Sequence, residues 1–402
     1  MAQPISYNNP TGGVNSSLDG ATGRQLRTDH FVKNALIDVE DELFFSPLAS
    51  AIAMPTNMGK KIVRYHYMPL LDDRNVNDQG IDAAGATIDP GSGNLYGSSH
   101  DIAKIDPALP VLTEQGGRVN RVGFTRIVKE GTLQRMGFFW ELTDESINFD
   151  SDPKMKAHIF TEMMRGAVRI KEDVLQRDLL NSAGIIVYPG SATQNSEVTA
   201  EGATPTIVDF DSLIRLDELL TANKCPYGKK YLTGSSNTDT RTIPQARVLF
   251  CGPKVARLLR TMLDFNKTPA FIPVEKYASQ TTPMNGEIGA IYNFRVIQVQ
   301  NMLYWSELGA PEGGGNNGYH VVNGKYVIHP LLCVGEDSFN TINFLAGNGS
   351  KTFDVIEKMP GHDIADLANP YGTVGFVSIK WYYGFLCNRP EYIGLIKTVA
   401  PV

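Results

Sequence analysis

The amino-acid sequence predicts an α+β protein in which one long helix and several extended strands are joined by long loops. Residues 151–182 predict the helix, because a capping serine and a proline open a stretch with one internal glycine and apolar residues three or four positions apart. Residues 373–387 (TVGFVSIKWYYGFLC) are β-branched and aromatic, as is typical of a long strand. Residues 69–117 are rich in Asp, Asn, Gly and Pro, and such a connection is longer than a compact domain normally contains.

Two further segments are predicted to project from the body. Residues 1–24 are rich in Gly, Asn, Ser and Thr with few apolar anchors, so they are expected to form an arm that cannot fold on its own. Residues 121–128 and 132–143 are strand-like, and Lys129-Glu130-Gly131 between them predicts a turn. Together they predict a two-stranded ribbon.

The rest of the chain predicts a body of alternating strands and helices. Asp211 is the expected cap of a helix over residues 212–223, and Gly252-Pro253 is expected to open a helix after a strand at residues 246–251. Asn323-Gly324 predicts a tight hairpin turn between the strand-like segments on either side of it.

Composition and charge limit the classes of function. The chain has 402 residues, of which 42% are hydrophobic, which is enough to bury a sizeable core. The formal net charge of -6 comes from 43 acidic and 37 basic residues mixed along the chain, so the sequence has no basic face that would neutralise phosphates. Tight, direct binding to DNA is therefore not expected.

Cysteine usage and hydropathy indicate a reducing compartment and no membrane. Cys225, Cys251, Cys333 and Cys387 are far apart and are expected to be free thiols. The N-terminus has neither a basic start nor an apolar stretch, and no apolar run in the chain is long enough to cross a bilayer. The sequence predicts a protein that is neither secreted nor membrane-spanning.

No motif in the sequence predicts a catalytic, cofactor or metal site. The seven histidines include no HExxH pair, and no G-x-S-x-G elbow is present. Residues 318–325 (GYHVVNGK) have five residues between their glycines instead of the four of a phosphate-binding loop, and Tyr326 stands where Ser or Thr is needed. We therefore expect no enzyme, no cofactor and no bound metal.

The order of arm, ribbon, long helix, mixed body and terminal strand resembles the major capsid proteins of tailed bacteriophages, which share the Hong Kong 97-type fold. Residues 130–152 resemble the returning strand of the extended loop in the N-four-like podophage capsid family. Residues 246–262 are similar to the strand, proline turn and helix of the axial domain. Residues 375–398 are similar to the final strand of the peripheral domain, with its Asn-Arg-Pro-Glu break.

This resemblance implies a domain organisation for the whole chain. The implied parts, in chain order, are an N-terminal arm, an extended loop (β-hairpin) with its base strands, a peripheral domain with the spine helix, an axial domain, and a terminal peripheral-domain strand. Their expected bounds are residues 1–55, 56–145, 146–190, 191–370 and 371–402.

The resemblance also implies a function. A major capsid protein self-assembles as pentamers and hexamers into the icosahedral head that encloses the double-stranded DNA of a phage. The expected location is the virion capsid, after assembly in the host cytoplasm. Expected partners are other copies of the chain, a separate scaffolding protein, the portal, optional decoration proteins, and packaged DNA without sequence-specific contact.

Two alternatives differ in their biology. An encapsulin-like shell of a cellular nanocompartment would keep the fold but enclose a cargo enzyme, and purified particles would then contain that enzyme instead of DNA. A compact enzyme with a dispersed active site would instead be a monomer with a defined small-molecule ligand, but the arm and the ribbon would then have no purpose.

The predicted ribbon contains the candidates for contact with a neighbouring subunit. Its aromatic side chains are expected to bury apolar surface there, and its basic side chains are expected to set the register. An alternative for the tryptophan among them is that it packs beneath its own long helix. The contact candidates are Phe124, Arg126, Lys129, Arg135, Phe138 and Trp140.

Overall fold

A computed structural model describes most of the chain between residues 43 and 402. The described residues are 43–54, 59–67, 102, 126–149, 155–227, 246–276, 285–315, 318–344, 353–365, 367 and 369–402. Most of the predicted arm, Phe124 and nearly all of the predicted long loop at residues 69–117 lie outside them. Of these described residues, those within 139–166 and 357–377 belong to one compact unit, and those within 41–138, 167–356 and 378–402 belong to a second.

The described residues form strands and helices as follows. The helices are α1 (Asp144–Phe149), α2 (Met155–Asn181), α3 (Phe210–Ala222) and α4 (Pro253–Arg260). The strands are β1 (Ser50–Met54), β2 (Lys61–Tyr67), β3 (Arg126–Thr143), β4 (Ile185–Val187), β5 (Arg247–Cys251), β6 (Phe271–Pro273), β7 (Glu287–Ile291), β8 (Phe294–Gln298), β9 (Val321–Val322), β10 (Lys325–Tyr326), β11 (His329–Val334), β12 (Phe339–Phe344), β13 (Phe353–Lys358), β14 (Val374–Cys387) and β15 (Ile393–Thr398).

The first sheet contains the long strands β3 and β14. Its strand order is β1-β12-β14-β3-β2, and β13 pairs with β14. Strand β1 runs parallel to β12, although residues 1–55 were expected to form an arm. Met54 of β1 is buried with Leu133, Ile342 and Leu386 in a small core. The described end of the arm segment is therefore part of a sheet.

The predicted turn at Lys129-Glu130-Gly131 is wrong. These residues lie inside β3, a single strand of 18 residues, and the antiparallel partner of β3 is β2. A Cβ atom on Gly131 would lie 2.7 Å from Cδ1 of Ile342 and 2.9 Å from the carbonyl oxygen of Phe385. Glycine at this position therefore allows close packing within the sheet and does not mark a turn.

The second sheet forms the mixed body. Its seven strands have the order β4-β15-β11-β5-β8-β7-β6. Its core includes fully buried leucines of α3 and α4, such as Leu216 and Leu259. The cap of α3 is Asp209, which accepts a hydrogen bond from the Ser212 backbone at 2.9 Å, so the prediction of Asp211 was wrong by two residues. Gly252-Pro253 opens α4 as predicted.

Helix α2 corresponds to the predicted long helix. It has 27 residues, which gives a length of about 40 Å at the usual rise per residue. Met163 and Ala167 are buried as the apolar pattern predicts, but Ile170 is 40% exposed, and Leu175 and Leu179 continue the buried face. Among the described residues, no helix has the length and apolar character that a membrane span requires.

Glu172 of α2 binds the backbone that precedes β1. Its carboxylate accepts hydrogen bonds from the backbone N–H groups of Phe44 at 2.9 Å, Phe45 at 2.6 Å and Ser46 at 3.2 Å. Phe45 is buried, and its ring lies 5.0 Å from the ring of Phe250. One carboxylate thus satisfies several N–H donors that would otherwise lack partners at a short helical turn.

The hairpin predicted at Asn323-Gly324 is confirmed. Strands β9 and β10 pair antiparallel on either side of it, with Lys325 opposite Val322. Asn323 and Gly324 have φ angles of 52° and 71°, as a two-residue type I′ turn requires.

Candidate inter-subunit surface

Strands β2 and β3 form an antiparallel ribbon, and its register separates its side chains into two faces. The pairing runs from Lys61 opposite Thr132 to Tyr67 opposite Arg126. Because directly opposed residues in such a pair point to the same side, alternate pairs alternate between the two faces.

One exposed face of the ribbon carries four apolar or aromatic side chains beside the charged Lys61, Glu130 and Arg126. We call those four, Val63, Tyr65, Tyr67 and Val128, its outer face. These side chains are 44%, 51%, 57% and 46% exposed respectively. The guanidinium of Arg126 lies 4.3 Å from the ring centroid of Tyr65, a cation–π contact on the same face. Exposed aromatic surface with a basic side chain beside it is typical of protein interfaces.

The base of the ribbon also lines a polar pocket of about 340 Å³. Three basic side chains line this basic pocket, together with one carboxylate, one amide and three aromatic or imidazole side chains. The lining residues are Arg64, Tyr65, His66, Tyr67, Lys129, Asp337, Asn388 and Arg389.

The basic and aromatic contact candidates differ in where they lie. Arg126 and Arg135 are exposed, and Lys129 is half-buried at the basic pocket. Phe138 is half-buried and meets the buried Trp381 edge-on, with ring centroids 6.0 Å apart. Phe124 lies outside the described residues.

Trp140 lies in the unit formed by residues 139–166 and 357–377. It is half-buried and lines an apolar groove of about 490 Å³ with Ile159, Phe160 and Met163 of α2. Packing of the tryptophan against its own long helix and contact with a neighbouring copy both stay predictions at this position.

Three exposed aromatic residues on β2 and β3 were not among the contact candidates predicted from the sequence. Phe139 is 64% exposed between the inward-facing Phe138 and Trp140, and strand alternation could have identified it. Tyr65 and Tyr67 lie in β2, and which face of β2 is covered depends on its pairing with the distant strand β3.

The cysteines are confirmed as free thiols, and their surroundings make them unreactive. Burial raises the pKa of Cys251 to about 12 and that of Cys387 to about 11, with the Lys129 ammonium opposing the rise at Cys387. Both groups are therefore protonated at neutral pH. In the part of the chain that the structure describes, no three His, Cys, Asp or Glu side chains are grouped as a metal site would require.

His320 and His329 form a close pair, with ring centroids 5.4 Å apart and an angle of 33° between the ring planes. Nδ1 of His320 lies 3.2 Å from Nε2 of His329, and the ring of Tyr304 lies 5.3 Å from that of His329. Burial, followed by the charges of His320 and Lys254, lowers the pKa of His329 to about 4. The pair is therefore neutral at neutral pH.

Comparisons with known proteins agree with the observed fold. A family model described as "Phage capsid protein" matches residues 127–398. A major capsid protein of Pseudomonas phage KPP21 is 50% identical over 398 residues, which cover 99% of this chain and 98% of that protein.

Solved capsid structures share the fold at low sequence identity. The capsid of Ralstonia phage GP4 is 12% identical with a TM-score of 0.54, and the match covers 100% of this chain and 99% of that one. The capsid of cyanophage P-SCSP1u is also 12% identical with a TM-score of 0.52, and the match covers 99% and 98% of the two chains.

These likenesses confirm the predicted α+β fold of the Hong Kong 97 type. The family model covers more than half of the chain, and the curated relative covers nearly all of it. Neither favours the encapsulin-like alternative. The chain belongs to the phage capsid protein family.

Proposed function

We propose that copies of this chain assemble as pentamers and hexamers into an icosahedral phage head that encloses double-stranded DNA. The 50% identity to a phage major capsid protein over nearly the full length supports a shell-forming role.

The outer face of the ribbon is the observation on which the assembly mechanism depends. Its four apolar side chains are between 44% and 57% exposed on two paired strands. Burying them against a neighbouring copy would remove this surface from water, and the favourable free energy would be gained only on assembly. Arg126 and Arg135, exposed on the same strand, would set the register of that contact.

The proposed partners and location follow from the shell-forming role. Besides other copies, we propose a separate scaffolding protein, a portal, optional decoration proteins, and packaged DNA without sequence-specific contact. Assembly would take place in the host cytoplasm and the product would be the capsid of the virion. The acidic net charge of -6 supports a container that does not hold DNA tightly.

Electron microscopy of the expressed chain, with and without its scaffolding protein, tests this proposal. Rings, sheets or closed particles are the expected result, and DNA in particles purified from infected cells would separate a phage head from a nanocompartment. A chain that stays monomeric under all these conditions would contradict the proposal.

The role of the outer face is tested by the double variant Tyr65→Ser/Val128→Ser. The variant should remain folded, because both side chains are about half exposed, but it should need a concentration about 10-fold higher to assemble, which corresponds to about 1.4 kcal/mol. Tyr371→Ser, at a residue 89% exposed and outside the ribbon, is the matched control. Equal assembly of both variants would exclude the outer face as a contact.

A further inference from the structure

The basic pocket holds three positive charges that the described chain does not neutralise. Arg64, Lys129 and Arg389 line it, and none of them forms an ion pair with a carboxylate in the described ranges. Asp337 lines the same pocket but does not come within ion-pair distance of them. Elsewhere in the described chain, other cations do have such partners, for example Lys61 with Glu130 on the same ribbon.

Neutral groups hold the two arginines in place. The Arg389 guanidinium donates to the hydroxyl of Tyr392 at 2.5 Å and lies 5.0 Å from the centroid of its ring. Arg64 donates to the side-chain oxygen of Asn340 at 3.0 Å, in the amide orientation that satisfies the neighbours of that asparagine. Both contacts restrict the side chains and leave their charge intact.

Such an arrangement favours a small anion with several acceptor atoms. Arginine binds carboxylates and phosphates through planar pairs of N–H donors, and restricted side chains lose less entropy on binding. A concave pocket of about 340 Å³ can admit one acidic side chain. With three cations and one carboxylate, the lining is net positive in a chain whose formal net charge is -6.

We propose that the basic pocket binds a carboxylate side chain from a second copy of this chain. The inference rests on the proposed shell-forming function and assigns one contact within it. A second copy fits because the pocket lining is net positive, whereas the chain has 43 acidic residues and a formal net charge of -6. Arg64 and Lys129 are also directly opposed on the ribbon, on the face away from Tyr65 and Val128.

Charge complementarity favours this occupant over a nucleic acid. A DNA backbone presents a line of phosphates, which calls for basic residues spread along a face, whereas these three converge on one concavity.

Neutralising the pocket tests the energetic part of the proposal. The variant Arg64→Gln/Arg389→Gln should assemble into shells only at a concentration about 10-fold higher than the wild type needs. Its thermal unfolding should fall only slightly, because both side chains are exposed and each loses one hydrogen bond to a neutral partner. The wild-type requirement should rise with added salt and that of the variant should rise less. Arg257→Gln/Arg260→Gln, an equal change of charge at exposed positions in the last turn of α4, is the control and should assemble like the wild type.

Zero-length cross-linking tests the identity of the occupant. A carbodiimide treatment of assembled shells should join the Lys129 amine to a carboxylate through an amide bond, and peptide mass spectrometry should place that carboxylate on a different copy. The variant Lys129→Arg keeps the charge but has no amine, so its shells should lose this cross-link. Unassembled wild-type chain should lack the cross-link as well.

The outcomes separate this inference from the proposed function. The proposed contact at the basic pocket would be contradicted by normal assembly of the Gln double variant, or by cross-links from Lys129 only to Asp337 of the same chain. Either result would leave the shell-forming function intact. Variant shells that form normally but lose packaged DNA would indicate that the pocket binds phosphate, and this result would also contradict the proposed carboxylate contact. Failure of the wild-type chain to assemble at all would contradict the proposed function itself.

Discussion

Replacing Glu172 with Ala should detach the segment that leads into β1. The Glu172 carboxylate accepts hydrogen bonds from the backbone N–H groups of Phe44, Phe45 and Ser46 and from the Ser46 hydroxyl. A hydrogen bond to a charged group is worth about 1.5–3 kcal/mol, but these share one carboxylate and do not add fully. We expect a loss of about 2–4 kcal/mol in the free energy of unfolding for Glu172→Ala.

The variant Glu172→Gln should lose less, about 1–2 kcal/mol, because an amide oxygen can still accept from the backbone N–H groups. Glu162→Gln on the same helix is the control. Its carboxylate makes an exposed pair with Arg165 at 3.3 Å, which is worth at most about 0.5 kcal/mol.

Urea unfolding measures the free energies, and limited proteolysis followed by mass spectrometry reports cleavage within residues 43–54. Faster cleavage there, in the order Ala variant, Gln variant, control, is the expected pattern. If Glu172→Ala matched Glu162→Gln in both measurements, the carboxylate would not anchor this segment and the reasoning would be refuted.

Three further predictions concern the core and the buried charges. Gly131→Ala should lower the free energy of unfolding by about 1–3 kcal/mol, since the added methyl meets Ile342 at 2.7 Å, whereas the exposed Thr132→Ala should change urea unfolding little. Arg247→Met should lower the free energy of unfolding by about 3–5 kcal/mol, because it leaves the buried Asp217 carboxylate without its guanidinium partner. The double variant Arg247→Met/Asp217→Leu should lose less, and an equal or larger loss in the double variant would contradict this prediction. The pKa of His329 is lowered to about 4 in the folded chain, whereas an unfolded histidine binds a proton below about pH 6.5. The free energy of unfolding should therefore decrease as the pH is lowered from about 6.5 to about 4. His329→Asn should flatten that part of the pH profile of thermal unfolding.

Local patterns in the sequence determined the elements that depend on neighbouring residues. The long helix, the hairpin at Asn323-Gly324 and the terminal strand β14 were predictable, because capping, turn conformation and strand propensity act over a few positions. These segments, taken in their order along the chain, resemble phage capsid proteins, and that resemblance predicted the fold class and the family.

Tertiary structure alone decided how distant segments meet. The sequence around Gly131 predicts a turn, but Gly131 lies inside a strand. The atoms packed against it belong to Ile342 and Phe385, which are distant in the sequence. The outer face of the ribbon and the basic pocket likewise depend on the register of β2 with β3 and on Arg389, contacts between residues far apart in the chain. A shift of one residue in that register would turn every side chain to the opposite face, and local propensity does not distinguish the two registers.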